Sequence, residues 1–472
     1  MNTRPFFSTV LMALAALLSA CGGDSQLAGI NGGGISNGGT SDPGVVVGPI
    51  TGFGSIFVNG IEFDLNGSTN VTVDGVPNLG QTALAIGQIV TVKGTINQST
   101  GMGTASSIEY SNNLKGKVTA VYTANNTFTV IGQTIKVTGT TVFEGLASLA
   151  DLKSTDYVEV SGFVDTSGNI EATRVELQAS SINVELKGTV TGSDTILKTF
   201  KIDGTLINYL GLAGSIPSPS DQDCVEVEGT YDGTQLNASR IDVKSCGLPA
   251  SPNVIGEIQG IITTSLSGST FKIGTQTISI TNTTQYNVSG TPASLLVAGP
   301  TVVEVEGTFD NSPVPVLVAR KIEIKQGTDV RMTGLVDVGS VNIAAKTFTM
   351  YGVTVSTNAS TQFVNKLVSS NVSYSLTDLG DGNFVEVRGY ENASHTAMTA
   401  VTLERRNPDS RLEIQATATN SAPSSTAFSL LGIPVSAASS ILISKDDHVR
   451  ARGTWSSATS TFSATSVENN AF

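Results

Sequence analysis

The chain has 472 residues, a formal net charge of −13, 50 glycines, 6% aromatic residues and 14% charged residues. An acidic balance without a single basic run excludes nucleic-acid binding, which needs clustered Lys and Arg to displace phosphate counterions. A glycine-rich composition that still holds 39% hydrophobic residues is that of a turn-rich all-β protein and excludes a disordered chain.

Residues 1–20 carry one charged side chain, Arg4, and an apolar run from Val10 to Leu18. That run is too short to span a bilayer and has the form of a secretion signal. Leu18-Ser19-Ala20-Cys21 resembles the lipobox of bacterial lipoproteins. The resemblance implies cleavage before Cys21 and lipidation of its thiol, with several acyl chains giving a stable membrane anchor. An ordinary signal peptide followed by a chance cysteine is the alternative. Gly22, rather than Asp, follows the cysteine, which by analogy with lipoprotein sorting implies the outer membrane of a bacterial cell envelope. Residues 21–47, rich in Gly, Ser and Asn, hold too little apolar surface to fold and are expected to be a flexible tether.

Beyond the tether one phrase recurs: Ile89 to Gly94, Tyr157 to Gly162, Cys224 to Gly229, Val302 to Gly307, Phe384 to Gly389 and His448 to Gly453. Subtracting their numbers places the closing glycines 64 to 82 residues apart, the size of a small domain rather than a solenoid rung. The expected modules are residues 48–111, 112–180, 181–248, 249–327, 328–408 and 409–472. Each can bury only a modest core, so support from neighbours is expected. Within each, an opening Gly-x-Val strand comes first: Gly52-Phe53-Gly54, Gly116-Lys117-Val118, Gly188-Thr189-Val190, Gly260-Ile261-Ile262, Gly334-Leu335-Val336 and the degenerate Ala416-Thr417-Ala418. A short hairpin follows, opened by Phe128, Phe200, Phe271, Phe348 or Phe428, and reduced in module one to an Asn59-Gly60 turn. A variable connector leads to the glycine-closed strand and then to a closing strand such as Ala172 to Glu176.

Period-two alternation puts Val158, Val160, Gly162 and Val164 on a core face and Tyr157, Glu159 and Ser161 on the other. The glutamates, including the pairs Glu226/Glu228 and Glu304/Glu306, are therefore expected in solvent. An inward glycine implies tight coiling or close approach of another backbone. In the closing strand Ile170 and Ala172 are even-numbered but Val175 and Leu177 odd, so one residue must be absorbed in a β-bulge. Three strands, a connector and two more strands is the order of an OB-like five-stranded barrel. The expectation is thus an all-β tandem array of six such barrels; a small immunoglobulin-like sandwich is the alternative.

The Gly-x-Val opening, the Val-Glu-Val-Glu-Gly strand and the Ala-x-Arg-Ile-Glu closing strand resemble those of a bacterial family of repeated domains of unknown function found in secreted lipoproteins. The resemblance implies small β-barrels and no established activity or ligand. Module six departs most, with Arg450 and Arg452 where Glu usually stands, and is expected to be a cap.

Chemistry-bearing constellations are sparse. Cys224 and Cys246 sit at the open end of an expected hairpin turning near Asp232-Gly233, so a disulfide is expected in an oxidising envelope; two free thiols or half a metal site are the alternatives. With only His395 and His448 in the chain, no zinc site is expected. Gly34-Ile35-Ser36-Asn37-Gly38 matches a nucleophile-elbow pattern but lacks the strand and helix that position such a serine. Asp378 to Asn383 could offer oxygens to calcium but lacks EF-hand spacing, and a turn is expected. Tyr231, Phe309 and Trp455, two residues past closing glycines, are expected to pack in cores rather than stack a ligand. No catalytic residue, cofactor or metal is assigned. The expected function is a non-enzymatic structural or interaction scaffold, with an envelope protein or polysaccharide as partner. An oligosaccharide- or peptide-binding role for the barrel faces is the alternative.

Overall fold

The opening, fourth and closing strands alternate apolar and polar residues, and each set folds into a ring. A computed structural model describes residues 41–53, 55–97, 102–146, 148–244, 247–248, 251–287, 291–299, 301–325, 330–359, 361–367, 374–408, 412–420 and 422–469. The lipobox with Cys21, the Gly34 to Gly38 motif and Cys246 lie outside the described residues.

In one ring Leu114–Tyr122 pairs antiparallel with Thr127–Val130, and that strand pairs with Gln133–Glu144. The latter lies parallel to Ile170–Gln178, which pairs antiparallel with Tyr157–Val164; this strand returns to Leu114–Tyr122 and closes the barrel. The spatial order is thus one-two-three-five-four. Val118, Phe128, Val130, Val158, Val160 and Val175 fill it and are fully buried, as alternation predicts. The rings opened by Ser41–Gly52, Val184–Asp194 and Ile255–Ser267 close in the same order. In the units opened by Val330–Leu335 and Leu412–Thr417 the seam between first and second strands narrows. It is held by Asp337 N donating to Thr349 O at 2.9 Å and by a single bridge between Ala418 and Leu430.

The expected bulge is present and has one recurring cause. Pairing slips at Lys93/Gly94, Ser161/Gly162, Glu228/Gly229, Glu306/Gly307, Arg388/Gly389 and Arg452/Gly453. At each of these glycines a Cβ would stand 1.9 to 2.4 Å from a carbonyl oxygen of the closing strand, so the backbones touch where the side chain is missing. The opening glycine has a different reason. A Cβ at Gly116, Gly188 or Gly260 would meet the hairpin's Ile131, Ile202 or Ile273 at 2.8, 2.4 and 2.6 Å. In the first barrel Gly48 occupies this place, opposite Val90 and beneath Asn59, so Gly52 is not the equivalent glycine. The strand also starts at Ser41, inside the stretch expected to be tether.

The barrels are not separate beads. The first half of an opening strand pairs on one side with strand four, while strand two engages only the second half, leaving an open edge. An opening strand of another barrel covers that edge, which would otherwise invite pairing with other chains. Leu114 and Lys115 pair with Leu186 and Glu185; Arg331, Met332 and Thr333 pair with Gln415, Ile414 and Glu413. Gly44 to Val47 runs parallel to Ile255 to Ile258. Sheets therefore continue through pairs of barrels, and apolar clusters extend with them: Val130 and Phe128 share one with Val190 and Phe200, Met332 and Phe348 share another with Ile414 and Phe428. All the described barrels lie in one compact unit. Leu114, fully buried at such a junction, is expected on replacement by alanine to cost about 2–5 kcal/mol, read as a lower urea midpoint.

Candidate functional site: charged seams between barrels

The outer faces of the fourth strands carry the candidate site, because they are covered. Glu304 and Glu306 are 2% and 1% exposed, and Glu159, Glu226 and Glu386 are also buried. Of the glutamates expected in solvent, Glu228 stays half-exposed and pairs with Arg240 at 2.8 Å. Alternation identified the face correctly, but neighbouring barrels have taken the place of water. A buried carboxylate must be paired or protonated, and the seams show both solutions.

At the junction of the first three barrels, Lys115 Nζ lies 3.1 Å from Asp74, 3.3 Å from Glu159 and 3.4 Å from Glu185. Burial alone would lower its pKa, but the three carboxylates raise it. Tyr110 donates to Glu159 at 2.8 Å, and Thr173 donates to Gly87 O at 2.6 Å, tying the first barrel to the second.

Where the first barrel meets the one opened by Ile255–Ser267, the acids outrun their partners. Glu257 sits opposite Glu306 in the register, next to Glu304, and its Oε1 has no hydrogen-bond partner among the described residues. Burial, then the charges of Glu304 and Glu306, push its pKa well above the carboxylate range. Lys325 lies 2.9 Å from Glu304 and 3.1 Å from Glu323, while Lys321 and Arg320 both serve Glu306. Burial still raises Glu306 to about 7.

The third seam has the opposite sign. Glu386 is approached by Arg388, by Arg406 at 3.0 Å and by Arg331 at 3.9 Å. Burial would raise its pKa, but Arg388, Arg331 and Arg406 hold it down at about 2. Glu413 receives Arg452 at 2.7 Å and Arg331 at 3.6 Å. These groups line a cavity of about 760 Å³, walled on the far side by Thr138, Gly139, Phe143 and Ser148 of the second barrel. Arg388 donates across it to Gly139 O at 2.9 Å. A second cavity of about 550 Å³, lined by Asn59, Gln259, Asn358, Gln362, Glu304 and Lys325 among others, lies where four barrels converge.

The sequence-derived candidates fall elsewhere. Cys224 is buried and pairs in register with Lys244; its expected partner Cys246 is outside the described residues. His395 Nδ1 lies 3.0 Å from Glu391, and His448 faces Thr417 at 3.4 Å. Asp378 caps a 3-10 turn by accepting from Ser375 N at 2.9 Å, and Asn383 accepts from Gly380 N at 3.2 Å, as in the expected turn. Phe309 is buried, Tyr231 is half-buried against the core, and Trp455 packs 5.3 Å from Tyr351, centroid to centroid. Among the described residues no group of three His, Cys, Asp or Glu is placed to hold a metal ion, and no helix is long and apolar enough to cross a membrane. Sequence reasoning missed Glu257, Lys325, Arg331 and Arg406. The one available signal was Arg388, Arg450 and Arg452 standing where acids recur.

Ring order, recurrent bulge and junctions through opening strands define an all-β protein of repeated, fused five-stranded barrels. Residues 44–109, 115–176, 259–323 and 333–404 match the family described as Domain of unknown function (DUF5666), and the chain belongs to that family. No curated protein matches the chain. Residues 184–244 and 412–469, outside the matched segments, form strands in the same order.

Proposed function

We propose that this protein is a non-enzymatic scaffold of the bacterial cell envelope, built of six OB-like barrels and anchored in the outer membrane by acyl chains on Cys21. The observation that carries this reading is the burial of the barrel faces: surfaces that a ligand-binding barrel leaves open hold Glu304, Glu306 and Glu386 against neighbouring barrels. Fold and family membership are consistent with a scaffold. Cys224, at the open end of its hairpin, is proposed to pair with Cys246 and staple the third barrel. The same burial counts against an oligosaccharide or peptide laid along a barrel face, and directs any small ligand to the cavities between barrels.

Mass spectrometry of the mature amino terminus tests the anchor. An acylated Cys21 is expected, with Cys21→Ser shifting the protein from the detergent to the aqueous phase. An unmodified mature terminus, or unchanged partitioning of Cys21→Ser, contradicts the proposal.

A further inference from the structure

The cavity of about 760 Å³ has a composition that the rest of this acidic chain does not share. Five arginines, Arg331, Arg388, Arg406, Arg450 and Arg452, line it against two carboxylates, Glu386 and Glu413. The formal charge of the whole chain is −13, so a local cationic excess runs against the general trend.

Not every guanidinium is satisfied there. Arg331 stands off from its two carboxylates at 3.9 and 3.6 Å, beyond hydrogen-bonding distance. Arg450 keeps Nε buried without a hydrogen-bond partner among the described residues, although its terminal nitrogen meets Glu468 outside the cavity. Burial, followed by repulsion from Arg388 and Arg450, lowers the pKa of Arg331 although Glu386 and Glu413 oppose the shift. Arg331 and Arg450 are half-buried, and incompletely paired guanidinium groups turned into a cavity are favourable around an oxyanion, which they can grip with two parallel N–H bonds. The remaining lining adds hydroxyl and amide groups from Thr138, Ser148, Asn126, Thr333 and Gln415. These suit the ring hydroxyls of a sugar, and the volume lies within the roughly 300–1,000 Å³ of small-ligand sites.

We propose that this cavity binds a small acidic saccharide, with the arginines on its charged group and the second barrel's hydroxyls on its ring. The charged group is a carboxylate or a phosphate, both planar or tetrahedral oxyanions of the kind arginine pairs with. The site lies between barrels, so it does not depend on the scaffold reading or on any free barrel face. Binding would also clamp the second barrel to the last two.

Isothermal titration of the full chain in detergent, with trigalacturonate, glucose 1-phosphate, inorganic phosphate and neutral maltotriose, tests this. Saturable binding of trigalacturonate identifies a carboxylate ligand, and of glucose 1-phosphate a phosphate ligand; maltotriose is expected not to bind. Arg450→Gln is expected to weaken the bound ligand at least tenfold, and Arg452→Gln, at a more exposed position, to weaken it in a protein of unchanged circular dichroism. Affinity for the unsubstituted chain should fall as salt is raised. Absence of heat with both acidic saccharides, equal binding of maltotriose, inorganic phosphate binding as tightly as the sugar phosphate, or undiminished affinity in both arginine variants overturns the proposal.

Discussion

Gly389→Ala is expected to lower the stability of the chain by about 3 kcal/mol, at the upper end of what overpacking costs. The new Cβ would stand 1.9 Å from Thr399 O and 2.9 Å from its carbon. Both atoms are backbone of the closing strand, so no side chain can rotate away. Relief would require the bulge between Arg388 and Gly389 to open, and with it the pairing of Phe384–Glu391 with Ala397–Arg405. Urea unfolding measures the loss. Gly211→Ala, where nothing lies within 4 Å and the backbone is not left-handed, should leave the midpoint unchanged.

Glu257→Gln is expected to act in the other direction, raising stability at neutral pH. Burial and two neighbouring carboxylates hold the pKa of Glu257 well above its ordinary 4.5. The folded chain therefore keeps a proton that the unfolded chain has already released, and stability falls as pH rises above about 4.5. Because the folded chain binds a proton that the unfolded chain has released, Glu257 costs stability progressively as pH rises from that point through neutrality. Glutamine carries no such penalty. Glu306, raised to about 7, adds a loss in the same window, complete once pH passes its folded value. Glu386, held at about 2, has the opposite sign: its contribution is present above about pH 4.5 and disappears as pH falls towards 2. The unsubstituted protein is thus expected to be most stable near pH 4 to 5, and Glu257→Gln to flatten the decline above it. Urea midpoints from pH 3 to 8 give both curves. A Glu257→Gln variant less stable at pH 8 than the native chain would show that the carboxylate is a paired anion instead.

The inside of each barrel was legible in the sequence because period-two alternation is a local property. Val158, Val160, Val225 and Val227 point inward as alternation requires, and the slip between Ala172 and Val175 announced the bulge that Gly162 permits. The turn at Asn59-Gly60 was equally plain, both residues taking the positive φ that such turns demand. The outside was not legible. Alternation tells which side chains share a face, but what covers that face is decided by contacts far away in sequence. Glu304 and Glu306 looked like ordinary solvated acids, and only the packing of Ile255–Ser267 and the first barrel around them shows otherwise. The arginine cavity was hidden for the same reason: Arg331 and Arg450 come from separate strands and Arg406 from the residue just past a third, and they line a cavity walled by the second barrel, more than two hundred residues from Gly139 in the case of Arg388. Gly52 imitates the opening glycine because Pro49 disguises the Gly48 motif, whereas the register opposite Val90 assigns it without ambiguity.

Fusion of the barrels through their opening strands is read most directly by amide hydrogen exchange at those edges. In a barrel standing alone the outer amides of 44–47, 114–115, 185–186 and 331–333 would face water, whereas here they are paired with another barrel. Protection of these amides as strong as that of Val158 and Val160 in the barrel interior, lost only with global unfolding, is the expected result. Rapid exchange at these positions while the barrel interiors stay protected would contradict it, showing independent beads instead of fused pairs.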